Sequence, residues 1–192
     1  MTNSTIAAIA SPPGMGAVAL VRISGPEAAK VCDKVFRGKS HRDWIPRHQH
    51  FGSVLDSKGA KVDDVLLTYF PSPASFTGED VIELGCHGGV VVTKLVLNAV
   101  LEAGAEPAEA GEFSQRAFFN GRIDLTQAEA IMDLISAKTE LAARAAQEQL
   151  EGVLGKQIEN LREALVSATA HLEAYIDFPE EDITPDSADK LF

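Results

Sequence analysis

Arg22 and Glu83 stand inside short apolar runs, where charge is costly and needs a reason. Arg22 follows Ala17-Val18-Ala19-Leu20-Val21, and a buried guanidinium there requires a carboxylate, supplied by a ligand or by the protein. Glu83 sits in Val81-Ile82-Glu83-Leu84, where strand alternation turns it away from Ile82 and Leu84. It then either points into solvent or serves as a binding group. A carboxylate fixed on a strand can accept two parallel hydrogen bonds from an amidine-like edge, such as that of a pterin.

Other candidates carry weaker signals. His87, in Cys86-His87-Gly88-Gly89, has a ring suited to proton transfer, but no Ser, Cys or Asp stands at a telling spacing. A local hydrogen-bonding or packing role is therefore expected, and no catalytic residue is assigned. The loop Ser11-Pro12-Pro13-Gly14-Met15-Gly16 is either a turn or a place of close backbone approach. His48 and His50 share a strand face without further ligands, so no metal site is expected. Cys32 and Cys86 lack a Cys-x-x-Cys spacing and read as free thiols. No window reads G-x-x-x-x-G-K-[ST], and Gly155-Lys156 is followed by Gln157 inside a helical pattern, so nucleotide binding by these residues is not expected.

The densest segment runs from Gly111 to Leu125, with aromatics, charges and glycines packed together. It reads as a short helix with Phe113, Ala117 and Phe118 toward the core, ended at Asn120-Gly121, with Asp124 capping the next helix. Arg116 and Arg122 are left without an evident partner.

The elements that must position these groups follow from periodicity. Two strands flank the Pro-Pro-Gly loop, and a helix opens at Ser24-Gly25-Pro26-Glu27. A hairpin joins His50–Leu55 to Asp64–Phe70 through Asp56-Ser57-Lys58-Gly59, a strand covers Asp80–Leu84, and a helix runs from Gly89 to Gly104. The order predicts an α+β fold, a mixed sheet with helices on one face, rather than a doubly wound parallel sheet. Leu150, Leu154, Ile158, Leu161, Leu165, Ala168, Leu172 and Ile176 step by three and four. They predict one helix from Thr139 to about Ile176, roughly 55 Å long at 1.5 Å per residue, too long for the preceding domain to cover. A further helix start is expected at Thr184-Pro185. The expected division is a domain over 1–120 and an incomplete helical domain over 121–192.

The 192 residues carry a net charge of −11, and its distribution is uneven. Residues 1–125 hold 12 basic and 14 acidic side chains, whereas 126–192 hold 5 and 14. Such a helical part repels phosphate backbones, so any nucleic acid would be served indirectly. There is no apolar run of about 18 residues and no basic, apolar leader, which points to the cytoplasm and away from a membrane.

Three separated stretches carry a family resemblance. They are Pro12-Pro13-Gly14-x-Gly16 with Arg22-Ile23-Ser24-Gly25, then Ser75-Phe76-Thr77-Gly78-Glu79-Asp80 with Glu83 and His87-Gly88-Gly89, then Gly111-Glu112-Phe113-x-x-Arg116-Ala117-Phe118-x-Asn120-Gly121 with Asp124-Leu125-x-x-Ala128-Glu129-Ala130. In order and spacing they resemble the MnmE/TrmE family of tRNA modification GTPases, and the likeness continues through Ile176-Asp177-Phe178-Pro179-Glu180-Glu181.

The resemblance implies a fold similar to the folate-binding domain of aminomethyltransferases, forming a homodimer and binding 5-formyl-tetrahydrofolate. It implies a helical domain into which a G domain is inserted. That G domain, with its GTP, magnesium and potassium, lies outside these residues, so no GTPase activity is expected of this chain alone. The family's whole protein works with a flavin-dependent partner of the MnmG/GidA type on the wobble uridine of tRNA. By motif position its folate contacts fall on Arg22, Glu83 and Arg122. The family more often has lysine at the last position, and an arginine fork is not equivalent to a lysine point charge. Two alternatives remain open: a stand-alone folate-dependent aminomethyltransferase-like enzyme, and a purely structural dimerisation module.

Overall fold

A computed structural model describes residues 4–177. The chain forms two compact units, residues 1–123 and 124–192. In the first, β1 (Ile6–Ile9) and β2 (Val18–Ser24) precede α1 (Ala28–Val35), a two-residue β3 (Phe36–Arg37), and the hairpin β4 (Gln49–Leu55) and β5 (Lys61–Phe70). Then come β6 (Val81–His87), α2 (Val90–Glu102), a two-residue β7 (Glu106–Pro107) and α3 (Glu112–Phe119). The sheet order is β3-β4-β5-β6-β2-β1-β7, with every pairing antiparallel except β1 with β7. This is the α+β arrangement expected from the pattern. The two shortest strands, at the sheet edges, carry too few residues to show a period.

Alternation decides which face is covered. Val21, Ile23, Leu67, Ile82, Leu84 and Cys86 point to one face and are fully buried, with Val31 and Cys32 of α1 and Val96, Ala99 and Val100 of α2 in the same core. Burial pushes the thiols of both cysteines up, so neither is a ready nucleophile. The opposite face of β2, β4, β5 and β6 is open over its middle, with Phe113 of α3 reaching it at Arg22.

The dense segment is explained by Arg116, which is 4% exposed and thus buried on a short helix. Its Nε and Nη2 donate to Glu112 Oε1 at 3.2 and 2.8 Å, and its Nη1 donates to Glu79 at 3.2 Å and to the Ser4 carbonyl at 2.7 Å. Ser24 Oγ donates to Glu79 Oε2 and shares a hydrogen bond with Thr77 Oγ1, and Asn120 Nδ2 donates to the Thr77 carbonyl. One guanidinium thus joins the N-terminal segment, α3 and the 75–79 loop, while Ser24 ties that loop to β2. Phe113 is half-buried and Ala117 buried as expected, but Phe118 is exposed, because Arg116 rather than a second phenylalanine takes the inward position.

The second unit holds α4 (Leu125–Ser136), α5 (Glu140–Leu150) and α6 (Val153–Asp177). Asp124 caps α4 in a capping box with Gln127, as its sequence suggested. The single helix expected from Thr139 to Ile176 is instead two. Gly152 adopts φ 76°, a left-handed conformation that ends α5, and the Leu150 carbonyl it frees accepts from Gln127 Nε2 at 2.8 Å. Side-chain periodicity hid this break because the apolar spacing continues across it. No residue of α6 is buried, and Leu161, Leu165, Leu172 and Ile176 lie exposed along it. The helix start expected at Thr184-Pro185 lies outside the described residues. Among the described residues no helix is long and apolar enough to cross a membrane.

Truncating one partner of a buried ion pair leaves the others uncompensated, so Arg116→Met should cost about 3 kcal/mol in urea unfolding. Burial pushes the Glu112 carboxyl up, but the Glu109 N–H and the Arg116 guanidinium outweigh this and hold it below the usual range. Its contribution is therefore complete above the ordinary glutamate range and lost as pH falls through the lowered value. Glu112→Gln should flatten stability against pH in that acid window. An unchanged acid slope would show that the pair does not set it.

Candidate functional site

The sheet register builds the site on the open face. Arg22 is directly opposite Glu83 across β2 and β6, Glu83 is opposite Thr68 on β5, and Thr68 is opposite Gln49 on β4. These four form a polar row. One pleat along, Leu20, Gly85, Leu66 and Phe51 form an apolar row. A further pleat along, His87 pairs with Val18, and Asp64 with Ser53. An open cavity of about 610 Å³ lies over these rows, lined by Leu20, Phe51, Leu66, Asp64, Glu83 and His87 among others. Its floor is Gly85. Van der Waals contact would admit a side chain there, since an added Cβ would meet Leu66 O at 3.6 Å and nothing closer. The hollow is thus due to a missing side chain.

Arg22 and Glu83, both expected site residues, meet each other. Arg22 Nε and Nη2 donate to the same oxygen, Glu83 Oε1, at 3.0 and 2.7 Å. The protein therefore supplies the acid that the Arg22 guanidinium requires. Glu83 Oε1 accepts from Arg22, while Oε2 and Arg22 Nη1 have no hydrogen bond among the described residues. The pair is about three-quarters buried, at 24% and 22% exposed, and presents one acceptor beside one donor. The rings of Phe76 and Phe113 lie 5.4 and 5.6 Å from the guanidinium carbon, fixing its orientation. Those rings ride on the loop and helix that Arg116 joins.

Arg122 stands apart from this pair. It is exposed, its guanidinium makes no hydrogen bond or ion pair among the described residues, and its stem lies against Gly78 in the loop that carries Phe76. His87, expected to have a local hydrogen-bonding or packing role, has a partner that its sequence spacing did not reveal. Its Nδ1 is 2.7 Å from Asp63 Oδ1, and its backbone N–H donates to Asp63 Oδ2 at 2.8 Å. A separation of 24 residues concealed the pair. Phe76, Phe113 and Gly85 also escaped sequence reasoning; only Gly85, a glycine inside an otherwise apolar strand, carried a local sign of close approach.

Other candidates resolve into structure. Gly16 N–H donates to the Gly88 carbonyl at 2.9 Å, and a Cβ on Gly88 would lie 2.5 Å from Gly16 O, so both glycines serve backbone approach. A smaller cavity of about 250 Å³ beside this loop is lined by Ile9, Pro12, Pro13, Ala19 and Val90 among others, without charge. The ring of His50 is buried and its Nε2 accepts the Ile45 N–H at 3.0 Å. Among the described residues no group of three metal-ligating side chains occurs.

Comparison with known proteins matches both units. A family model described as the GTP-binding protein TrmE N-terminus covers residues 5–122, and one described as the MnmE helical domain covers residues 125–192. Over 187 residues the chain is 50% identical to a protein of Akkermansia muciniphila named tRNA modification GTPase MnmE, covering 97% of this chain and 42% of that one. Proteins of the same name from Clostridioides difficile and Pseudomonas paraeruginosa are 49% and 51% identical, each over 94% of this chain and over 40% and 39% of their own length. The chain spans about two fifths of the length of these relatives. With both units matched and about half of all positions identical, the chain belongs to the MnmE/TrmE family of tRNA modification GTPases.

Proposed function

We propose that this chain is the folate-binding and dimerising part of a tRNA modification GTPase. In the whole protein it works in the cytoplasm with a flavin-dependent partner of the MnmG/GidA type on the wobble uridine of tRNA. The chain's own share is to bind 5-formyl-tetrahydrofolate, while GTP, magnesium and potassium belong to a G domain outside these residues. The observation that carries this reading is the open-face cavity, walled by Glu83, which Arg22 holds from outside the lining, and floored by Gly85.

Three physical features support it. The free Glu83 oxygen and Arg22 Nη1 offer an acceptor and a donor side by side, the complement of a heterocyclic lactam edge. The walls are apolar, suited to a flat ring rather than to a sugar or a phosphate chain. Arg122 is an unpaired cation whose stem lies on Gly78, in the loop that carries Phe76 onto Arg22, available to a ligand carboxylate. Val18 and Phe51 at the rim are 70% and 71% exposed, more than a helix-free face in water favours. A second copy of the chain packed on this face would cover them and close the cavity. The acidic helical unit disfavours direct tRNA contact, so tRNA is engaged indirectly.

Titration of the chain with 5-formyl-tetrahydrofolate should show saturable heat, and Glu83→Gln should weaken binding by about 10- to 100-fold, the worth of a hydrogen bond to a charged group. Gly85→Val should abolish binding while leaving the melting temperature equal or higher, because valine suits a strand and fills the cavity floor. Retained affinity in Gly85→Val would remove the ligand from this face. Phe51→Ser should shift the chain from dimer to monomer in sedimentation equilibrium. An unchanged mass would place the dimer contact elsewhere.

A further inference from the structure

The polar groups around the cavity differ in sign from one end to the other. Arg22 Nη1 lies at the end of the polar row, and the exposed Arg122 rests its stem on Gly78, in the loop whose Phe76 packs on Arg22. At the other end the lining holds Asp64 and His87, with Asp63 behind, and no lysine or arginine lines the cavity. That end presents acceptors, although Asp64 is already held by Lys61 Nζ at 2.7 Å. A carboxylate accepts only, so Asp63 Oδ1 at 2.7 Å makes His87 Nδ1 the donor and leaves the Nε2 lone pair outward. The Asp63 carboxylate is itself fixed, because its second oxygen accepts the His87 backbone N–H. Asp63 is 11% exposed and His87 73% exposed, so the anchor is buried and the ring is presented. Such a clamp does more than hold two strands together, for which the ladder hydrogen bonds suffice.

Resting on the folate reading above, we propose that His87, oriented by Asp63, is a second ligand contact. The ligand's bicyclic ring lies flat on Gly85 between Glu83 and His87, with its acidic tail leaving on the Arg22–Arg122 side. Glu83 and His87 share a face of β6 and stand four residues apart, about 13 Å between Cα atoms, with Gly85 midway. Side chains reaching inward from both ends leave room for one flat ring with N–H donors on opposite edges. A carboxylate tail at the His87 end would face the Asp63 carboxylate and Asp64, which Lys61 already pairs at 2.7 Å, whereas at the other end it meets the free Nη1 of Arg22 and the unpaired Arg122. Leu20 and Leu66 flank the glycine and close on the ring's faces. His87 is thus a binding residue, and Asp63 its positioning residue.

Calorimetry with 5-formyl-tetrahydrofolate and with 5-formyl-tetrahydropterin, the headgroup without its tail, tests this on the full chain. His87→Asn should weaken both ligands by the same factor, about 5-fold for one hydrogen bond, with an unchanged melting temperature. Arg122→Ala should weaken only the tailed ligand. In ¹⁵N spectra of the wild type, His87 Nε2 should shift on adding the headgroup, and Asp63→Asn should erase the preference for a proton on Nδ1. Asp63→Asn added to His87→Asn should cost no further affinity, as expected of a residue acting through His87. If His87→Asn binds both ligands like the wild type while Glu83→Gln is weakened, the His87 contact is wrong and the folate reading stands. If His87→Asn weakens only the tailed ligand, the orientation is reversed and the proposal fails. Absence of saturable binding of either ligand to the wild type would overturn both.

Discussion

The antiparallel register of β2 against β6 is the constraint on which the site depends. It sets Arg22 opposite Glu83, Leu20 opposite Gly85 and Val18 opposite His87. A slip of β2 by one residue would turn Val18, Leu20 and Arg22 into the helix-covered core and bring Val21 and Ile23 to the surface. The buried set on the other face therefore enforces the site: Val21, Ile23, Ile82 and Leu84 are at most 0% exposed, and no other register hides them. Core packing and functional geometry are two faces of one strand pairing.

A second constraint acts from the side. The Arg22 guanidinium is held by Glu83 and flanked by Phe76 and Phe113, and those rings come from a loop and a helix joined by Arg116 with its carboxylates and by Asn120 on the Thr77 carbonyl. A buried guanidinium with two acids and a main-chain carbonyl is costly to desolvate, and a hydrophobic substitute could be as stable. Its value here is orientation, since it fixes which faces of three separate segments converge. The charged network is continuous from Ser4 through Arg116, Glu79 and Ser24 to the strand that carries Arg22.

The strands and helices of the first unit were legible because alternation and 3.6-residue spacing are local. Arg22 and Glu83 stood out because charge inside an apolar run is rare. Their pairing with each other was not legible, since 61 residues separate them and only the register brings them together. The same holds for Asp63 with His87 and for Arg116 with Glu79. The break at Gly152 was visible as a glycine yet masked by apolar residues that keep their step across it. Family resemblance supplied what spacing could not, the proposed ligand. It did not supply Gly85, whose role is an absence of volume that only three dimensions reveal.

The helical unit follows a different logic, with alanines packing α4 on α5 and an apolar stripe left exposed along α6. Among the described residues of that unit the ion pairs Arg144–Glu140 and Arg162–Glu159 are exposed, and the proposed ligand binding rests on the open sheet face alone. Backbone amide NMR of the chain titrated with 5-formyl-tetrahydrofolate tests this most directly. Shifts should concentrate at residues 18–22, 64–68 and 83–87, the three strands that floor the cavity. Shifts confined to the Ser11–Gly16 loop and the start of α2, or no shifts at all, would contradict it.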